Sequence, residues 1–163
     1  MIKLFRIDER LIHGQIAIKW SRHLNITHIV VANQAAANNV LIQKSLKMAA
    51  PAGVKVAIKG IEEAAALIHD PRSEPLQMLV LVDSPEDALE LVKSISGVDK
   101  INVGNYGRVA AEKPNQPRKS YALNIYCDES EVAAFKKLIA TGISIYYQTI
   151  PEDTAVSLDV VFK

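Results

Sequence analysis

The chain alternates short apolar runs of strand type with longer amphipathic runs of helix type. The clearest strand covers residues 76–83, LQMLVLVD, whose almost continuously apolar sequence is typical of a strand buried on both faces. This alternation favours a parallel sheet with right-handed crossovers, because each helix returns the chain to the same end of the sheet. The sequence therefore predicts an α/β fold, a mostly parallel open sheet of about seven strands with helices on both faces.

The predicted elements follow one another over the whole chain, so residues 1–163 are expected to form a single domain. Strands are predicted over residues 2–7, 28–32, 54–59, 76–83, 100–104, 121–127 and 143–150. Helices are predicted over residues 14–24, 36–50, 61–70 and 128–141, with another beginning at residues 84–87. The last strand or the tail, 154–162, is expected to run antiparallel at an edge. Residues 107–120 form a polar loop long enough to be a lid or a docking loop.

Composition argues against several classes of protein. About half of the residues (49%) are hydrophobic, which is enough to form a core and argues against intrinsic disorder. The net charge is +1 and no block of lysine and arginine is present, which argues against a nucleic-acid partner. The single cysteine, Cys127, allows no intrachain disulfide, and no apolar run approaches the ~20 residues of a membrane span. We expect a cytoplasmic protein in which Cys127 is a structural rather than a catalytic thiol.

Ligands of open α/β sheets bind beyond the carboxyl ends of the strands. Three segments of this chain fall there: residues 8–15, 83–87 and 104–108. The first, DERLIHGQ, places a histidine directly before a predicted helix. A helix N-terminus carries unpaired N–H groups and partial positive charge, which disfavour an imidazolium and attract an anion. His13 is therefore a candidate nucleophile that accepts a phosphoryl group.

The neighbours of His13 have matching roles. The guanidinium of Arg10 can reach the oxygens of the same anion, and Asp8 can orient the imidazole or hold Arg10. Gly14 and Gln15 open the predicted helix, where their N–H groups can bind phosphate. The spacing alone leaves an alternative open, in which His13 is only a helix cap and Arg10 forms a weak surface ion pair with Asp8.

The other two segments are weaker candidates. Ser84 can donate to a phosphate on His13, although a serine at a helix start is more often simply an N-cap. Residues 104–108 form a glycine-punctuated loop that lacks both a GK[ST] sequence and a dinucleotide fingerprint. This loop is either an ordinary turn or the rim of the site, in which case Asn105 and Arg108 contact a partner protein. No metal site is expected, because the chain has no HExxH pair and no cysteine cluster.

The segment DERLIHGQ resembles the active-site signature of enzyme IIB components of the mannose/fructose/sorbose branch of the bacterial phosphoenolpyruvate-dependent sugar phosphotransferase system. The likeness extends over essentially the whole chain, in order and spacing. One departure is Gln34, which stands where the family usually has an aspartate. The other similar blocks are VVAN (30–33), KMAAP (47–51), VKVAI (54–58), SPEDALELV (84–92), INVGNYGR (101–108) and KKLIATGISIYYQTIP (136–151).

The resemblance implies that His13 accepts phosphate from a phosphohistidine of a IIA component and passes it to sugar at the membrane subunits IIC and IID. The protein would then be a phosphotransferase that is peripheral at the inner face of the membrane through those subunits. Arg10 would clamp the phosphoryl oxygens while Asp8 orients the loop, and no cofactor is expected. Sugar specificity is expected to reside largely in the membrane subunits, and a homo-oligomer is compatible with the sequence.

Two alternatives to this carrier remain open from the residues alone. A stand-alone doubly-wound phosphohydrolase or mutase would use His13 on a small phosphorylated substrate and would turn over without a partner. A non-catalytic binding module would keep His13 only as a cap, so that replacing it would lower stability without abolishing any transfer.

Overall fold

Strands and helices alternate in the computed structural model, which describes residues 1–163. The strands are β1 (Ile2–Asp8), β2 (His28–Ala32), β3 (Lys55–Lys59), β4 (Met78–Val82), β5 (Lys100–Asn105), β6 (Lys119–Ala122), β7 (Ile125–Cys127), β8 (Ser144–Tyr147) and β9 (Val156–Ser157). The helices are α1 (Gly14–Leu24), α2 (Gln34–Ala37), α3 (Val40–Ala49), α4 (Ile61–His69), α5 (Pro85–Ser94), α6 (Glu129–Ile139) and α7 (Leu158–Val161).

Seven of the strands form one sheet in the order β3-β2-β4-β1-β5-β8-β9. Every neighbouring pair is parallel except β8 and β9, which are antiparallel. The predicted class, a mostly parallel sheet of about seven strands with helices on both faces, is thus confirmed. The antiparallel edge strand comes from the tail, one of the two segments expected to supply it.

Apolar side chains pack on both faces of the sheet, because successive residues of a strand point to opposite sides. On one face Phe5 packs with α4, α5 and α6, and on the other Leu4 packs with α1, including Trp20. The central strand β4 is buried along its whole length, as its apolar sequence predicts. Arg6 and Asp8 follow Leu4 at intervals of two, so both point to the side of α1.

Residues 121–127 differ from the prediction of a strand in the main sheet. They contribute to an antiparallel hairpin in which β6 and β7 are joined by a turn at Leu123 and Asn124. Asparagine tolerates turn conformations, so the chain can reverse at this point. The apolar alternation continues on both sides of the turn and therefore resembles a single strand. A parallel bridge between Tyr106 and Ile125 attaches this hairpin beside the end of β5.

The predicted helix 36–50 is also divided. The side chain of Asn33 accepts the N–H of Ala36, and that of Asn39 accepts the N–H groups that follow it. Because each asparagine is an N-cap, the segment forms two helices, α2 and α3.

The long loop between β5 and β6 is held by Arg118. The guanidinium donates to the two carboxylate oxygens of Glu131 at 2.9 and 3.1 Å and to the carbonyl of Gly107 at 3.4 Å. The hydroxyl of Tyr106 donates to the same carboxylate at 2.7 Å. The loop predicted over residues 107–120 is therefore tied to α6 at several points.

The strand order brings the predicted site segments to one edge. β1 lies between β4 and β5, so residues 8–15, 83–87 and 104–108 leave the sheet at neighbouring points of its carboxyl edge. The residues predicted to bind or carry phosphate therefore lie on adjacent loops.

Candidate active site

The loop after β1 turns sharply and ends on His13. The N–H of Leu11 donates to the carbonyl of Asp8 at 2.9 Å, and the N–H of Arg10 donates to Oδ1 of the same aspartate at 3.1 Å. Leu11 adopts a left-handed backbone conformation, with φ of 57°, and Gly14 follows with φ of 47°. α1 begins directly after His13, whose side chain caps no backbone N–H. The imidazole is therefore free for another role.

This imidazole turns back to a buried carboxylate. Nε2 of His13 lies 3.0 Å from Oδ2 of Asp8, a residue that is completely buried. The same oxygen accepts hydrogen bonds from Nη2 of Arg6 and Nδ2 of Asn105, each at 3.0 Å. Burial alone would raise the pKa of Asp8, but the hydrogen bond from His13 and the positive charge of Arg6 outweigh it and lower the pKa. Asp8 is thus an ionised carboxylate that fixes one side of the ring.

Arg6 is a member of the site that the sequence analysis missed. Its Nη1 donates to Oδ1 of Asn102 and, at 3.1 Å, to the carbonyl of Gln148, and its guanidinium lies 5.7 Å from the centre of the Trp20 ring. Burial lowers the pKa of Arg6, and the adjacent Asp8 opposes this effect. A signal was present, because Arg6 and Asp8 are two residues apart in a strand and must share a face.

Gly104 makes room for the buried arginine. A Cβ at this position would overlap Nη2 and Cζ of Arg6. The backbone of Gly104 is not left-handed, so a side chain is excluded by space alone. This glycine of the predicted anion loop therefore serves to admit a guanidinium from β1.

Nδ1 is the nitrogen of His13 that has no partner, because Nε2 faces Asp8. The side chain is 12% exposed and lies at the start of α1, where no side chain caps the first N–H groups. Gly14 and Gln15, the first residues of the helix, are exposed. The arrangement places an open ring nitrogen beside N–H donors that suit an incoming anion.

Arg10 lies at the surface, and Arg6 rather than Arg10 forms the ion pair with Asp8. Only the backbone N–H of Arg10 reaches the carboxylate, while its guanidinium is exposed and forms no ion pair. The predicted alternative of a surface ion pair between Arg10 and Asp8 is wrong, because Arg6 occupies that buried carboxylate. The side chain of Arg10 is therefore open to a ligand or a partner.

Ser84 is the N-cap of α5, which is the structural alternative considered for this serine in the sequence. Its Oγ accepts the N–H of Asp87 at 3.1 Å. The preceding residue, Asp83, accepts a hydrogen bond from Nδ2 of Asn33 at 2.7 Å. Burial and the neighbouring Asp83 raise the pKa of Asp87 to about 6. Ser84 lies on the same edge as His13 without a hydrogen bond to it.

Asn105 and Arg108, the two predicted partner contacts, both have contacts within the chain. Asn105 is directed into the site, where it donates to Asp8. Nη1 of Arg108 donates to Oδ1 of Asn124 at 2.9 Å, and its guanidinium lies 5.8 Å from the centre of the Tyr126 ring. Arg108 remains exposed, so it alone of the two presents its side chain to an approaching protein.

Backbone N–H groups of the loop after β5 bind the carboxylate of Glu9. The carboxylate of Glu9 accepts the N–H groups of Arg108, Val109 and Ala110 at 2.7, 3.2 and 3.3 Å. Successive N–H groups that converge in this way form an anion nest. Glu9 thereby ties this loop to the one that carries His13, a link that sequence spacing did not indicate because the partners are 99 to 101 residues apart.

Cys127 lies in the core, as predicted for a structural thiol. It is completely buried in the cluster between the sheet and α6. Burial raises the pKa of its thiol, which keeps it protonated and unreactive at neutral pH.

A sizeable cavity lies away from His13. It has a volume of about 580 Å³ and is lined by residues at the amino ends of β2 to β4, among them His28, Lys55 and Met78. No three His, Cys, Asp or Glu side chains lie close enough together to hold a metal ion. None of the helices combines the length and apolar character that crossing a bilayer requires.

Known proteins match this chain over nearly its full length. The family model described as the PTS system sorbose subfamily IIB component matches residues 2–163. A probable phosphotransferase enzyme IIB component of Streptococcus pyogenes is 36% identical over 159 residues, which cover 97% of each chain. The mannose-specific EIIAB component of Escherichia coli is 28% identical, and the match covers all of this chain and 49% of that longer protein.

Solved structures agree with these matches. The IIBSor domain of the sorbose permease from Klebsiella pneumoniae superposes with a TM-score of 0.86 at 29% identity, covering 97% of this chain and 93% of that one. The manxB structure from Thermoanaerobacter tengcongensis gives a TM-score of 0.84 at 26% identity, covering 99% and 94%.

Fold and comparisons together place the chain among the components of the sugar phosphotransferase system. Within that class it belongs to the sorbose subfamily of IIB components. IIB components of this family are phosphotransferases.

Proposed function

We propose that this protein carries a phosphoryl group on Nδ1 of His13, accepting it from a phosphohistidine of a IIA component and passing it to sugar at the membrane subunits IIC and IID. The observation that carries the proposal is the hydrogen bond between Nε2 of His13 and the buried carboxylate of Asp8. An ionised carboxylate keeps the ring proton on Nε2, which leaves the lone pair of Nδ1 free to attack phosphorus.

The phosphoryl group passes first between two imidazoles. Nδ1 of His13 forms a bond to phosphorus while the bond from phosphorus to the donor nitrogen breaks, and that electron pair returns to the donor. In the second transfer a sugar hydroxyl oxygen bonds to phosphorus, the bond to Nδ1 breaks, and the hydroxyl proton passes to solvent. Transfers of this kind depend mainly on positioning and charge stabilisation, which side chains and N–H groups can supply without a cofactor.

The start of α1 is the proposed binding site for the phosphoryl oxygens. The N–H groups of Gly14 and Gln15 lie at the positive end of the helix dipole. Arg10 adds an exposed guanidinium with no ion-pair partner, which is suited to a bidentate contact. Ser84 is a weaker candidate, since its Oγ accepts from Asp87 while its hydroxyl proton stays available to a phosphate.

Two partners are proposed to meet His13 in turn. The sugar is expected to be held by the membrane subunits, because the cavity of about 580 Å³ in this chain lies at the edge of the sheet opposite to His13. Arg108, exposed beside the site, is a proposed contact for the IIA component. The mannose-specific relative of Escherichia coli, whose name joins IIA and IIB, supports that partnership. We further propose one IIB domain over residues 1–163, located in the cytoplasm at the inner face of the membrane.

Intact-mass measurement after incubation with phosphoenolpyruvate, the general phosphotransferase proteins and a IIA component tests the proposal. We expect one added phosphate that acid removes. It should be absent in His13→Ala and present in His23→Ala, a matched change at an exposed histidine of α1. Lack of phosphate with several IIA components, together with hydrolysis of small phosphate esters, would favour the stand-alone phosphohydrolase or mutase.

A further inference from the structure

The charges of this protein are divided between the two faces of its sheet. Residues 10–61 contain no aspartate or glutamate, although the chain has 18 acidic residues, and the segment contains seven lysines and arginines. This segment forms α1, α2 and α3, which pack on one face. The helices of the other face, α4, α5 and α6, all carry acidic residues in their first turns. The helices of this face therefore carry basic but no acidic residues, and the one acidic partner they have is Glu152, 3.7 Å from Lys19 of α1.

On that face, α3 also exposes apolar side chains. Four of the eight exposed large hydrophobic residues of the molecule lie on it: Val40, Leu41, Ile42 and Met48. Leu41 is 77% and Met48 is 86% exposed, while only Leu46 of this helix is buried. Single exposed apolar residues are ordinary, but a group of them on one short helix indicates an interaction surface.

Lysines lie among these apolar residues. Lys44 is three residues after Leu41 and four before Met48, so all three lie on one stripe of the helix. Lys44 and Lys47 are exposed and form no ion pair. We name these four residues, Leu41, Lys44, Lys47 and Met48, the α3 surface.

We propose that the α3 surface docks on an anionic lipid surface, with Leu41 and Met48 in the membrane interface and the lysines against lipid phosphates. Helices that combine apolar and basic residues in this way bind membrane interfaces, and each lysine near anionic lipid adds to the attraction. An acidic protein is the less suitable partner, because protein interfaces favour tyrosine, tryptophan and arginine over lysine, and α3 contains none of these three.

The biological role of this docking rests on the proposed function as a phosphoryl carrier. Lipid binding itself does not require phosphoryl transfer. A carrier that delivers phosphate to membrane subunits works beside lipid, and a second weak attachment raises its local concentration there. The α3 surface lies on a face of the sheet, whereas His13 lies at the carboxyl edge, so docking leaves the histidine open to both partners.

Co-sedimentation of the full chain with lipid vesicles tests the proposal. We expect binding to vesicles of phosphatidylglycerol and phosphatidylcholine, no binding to phosphatidylcholine alone, and release at high salt. The double substitution Lys44→Glu and Lys47→Glu should lower the partition coefficient by about tenfold or more. Leu41→Ser with Met48→Ser should also lower it. The matched control, Lys136→Glu with Lys137→Glu, makes the same charge change on α6 and should preserve binding within about twofold.

Thermal unfolding and phosphorylation by the IIA component should be unchanged in the α3 variants, because the substituted side chains are exposed and lie outside the site. Absence of wild-type binding to the anionic vesicles, or equal loss in the α6 control, would overturn the proposal. Loss of sugar transport in the α3 variants without any vesicle binding would also overturn it and would identify an acidic protein as the partner. Failure of the carrier function itself would appear separately, as absence of phosphate on His13.

Discussion

Oδ2 of Asp8 lies 3.0 Å from both Nε2 of His13 and Nη2 of Arg6, so one buried oxygen joins the imidazole at the carboxyl edge to a guanidinium in the core. The arginine favours the ionised form of Asp8, and the ionised carboxylate favours a proton on Nε2. Buried groups, rather than surface residues, therefore determine how the His13 ring is oriented and which of its nitrogens has no hydrogen-bond partner.

Replacement of Asp8 by asparagine should lower the free energy of unfolding by about 3–5 kcal/mol, because it leaves the charge of Arg6 buried and unpaired. The pKa of Asp8 is lowered in the folded protein, so its stabilisation is complete above the ordinary value of 3.8 and is lost as pH falls through the folded value. Denaturant titrations should show the wild type and Asp8→Asn converging in acid. The control Asp128→Asn keeps a capping side chain and should cost under about 1 kcal/mol. An equal cost for both variants would contradict the central role of Asp8.

Gly104→Ala should destabilise the protein by about 1–3 kcal/mol, because the new methyl group overlaps the buried guanidinium of Arg6. Gly60→Ala is the matched change, since its methyl group would also overlap a side chain, that of Gln34. Gln34 is exposed and can move aside, so this change should cost under about 1 kcal/mol. Thermal unfolding of the two variants compares them directly. Similar costs at the two positions would mean that Arg6 is not fixed in place.

Asp87→Asn should stabilise the protein at alkaline pH. The pKa of Asp87 is raised to about 6, so the folded state binds its proton more tightly and loses stability as pH rises from 3.8 through 6. For this half-buried group, solvent screening limits the gain at about pH 8 to about 1 kcal/mol, with little gain at about pH 4. Unfolding measured at both pH values tests this. Glu86→Gln, an exposed change on the same helix, should alter stability by under about 0.5 kcal/mol at either pH.

Glu9→Gln should loosen the loop after β5, because a neutral amide oxygen accepts the N–H groups of Arg108, Val109 and Ala110 less strongly than a carboxylate. Amide hydrogen exchange should become faster at these residues and stay unchanged in the core strands. Glu129→Gln, at an exposed position of α6, should leave the three amides as protected as in the wild type. Unchanged exchange in Glu9→Gln would mean that the loop is held by Arg118 alone.

Local patterns were sufficient to predict the class of fold and the edge of the sheet at which the candidate site residues lie. The buried sequence of β4 and the alternation of strands with helices predict a parallel sheet, and the strand ends then place Asp8 and His13 at its carboxyl edge. The hairpin at Leu123 and Asn124 was not predicted, because apolar alternation does not reveal where the chain reverses.

Contacts between distant segments could not be predicted in the same way. The hydrogen bond from Asn105 to Asp8 and the contact of Glu9 with the loop after β5 join residues about a hundred positions apart. Both depend on β5 lying directly beside β1, a strand order that hydrophobic periodicity does not specify. Arg6 is different, because its spacing from Asp8 in one strand was a usable signal.

The most direct test of the central claim is a long-range ¹H–¹⁵N correlation spectrum of the ¹⁵N-labelled protein after phosphorylation by a IIA component. The hydrogen bond from His13 to Asp8 predicts a phosphate on Nδ1 of His13 and a proton on Nε2. A phosphate on Nε2, or on a residue other than His13, would contradict the account.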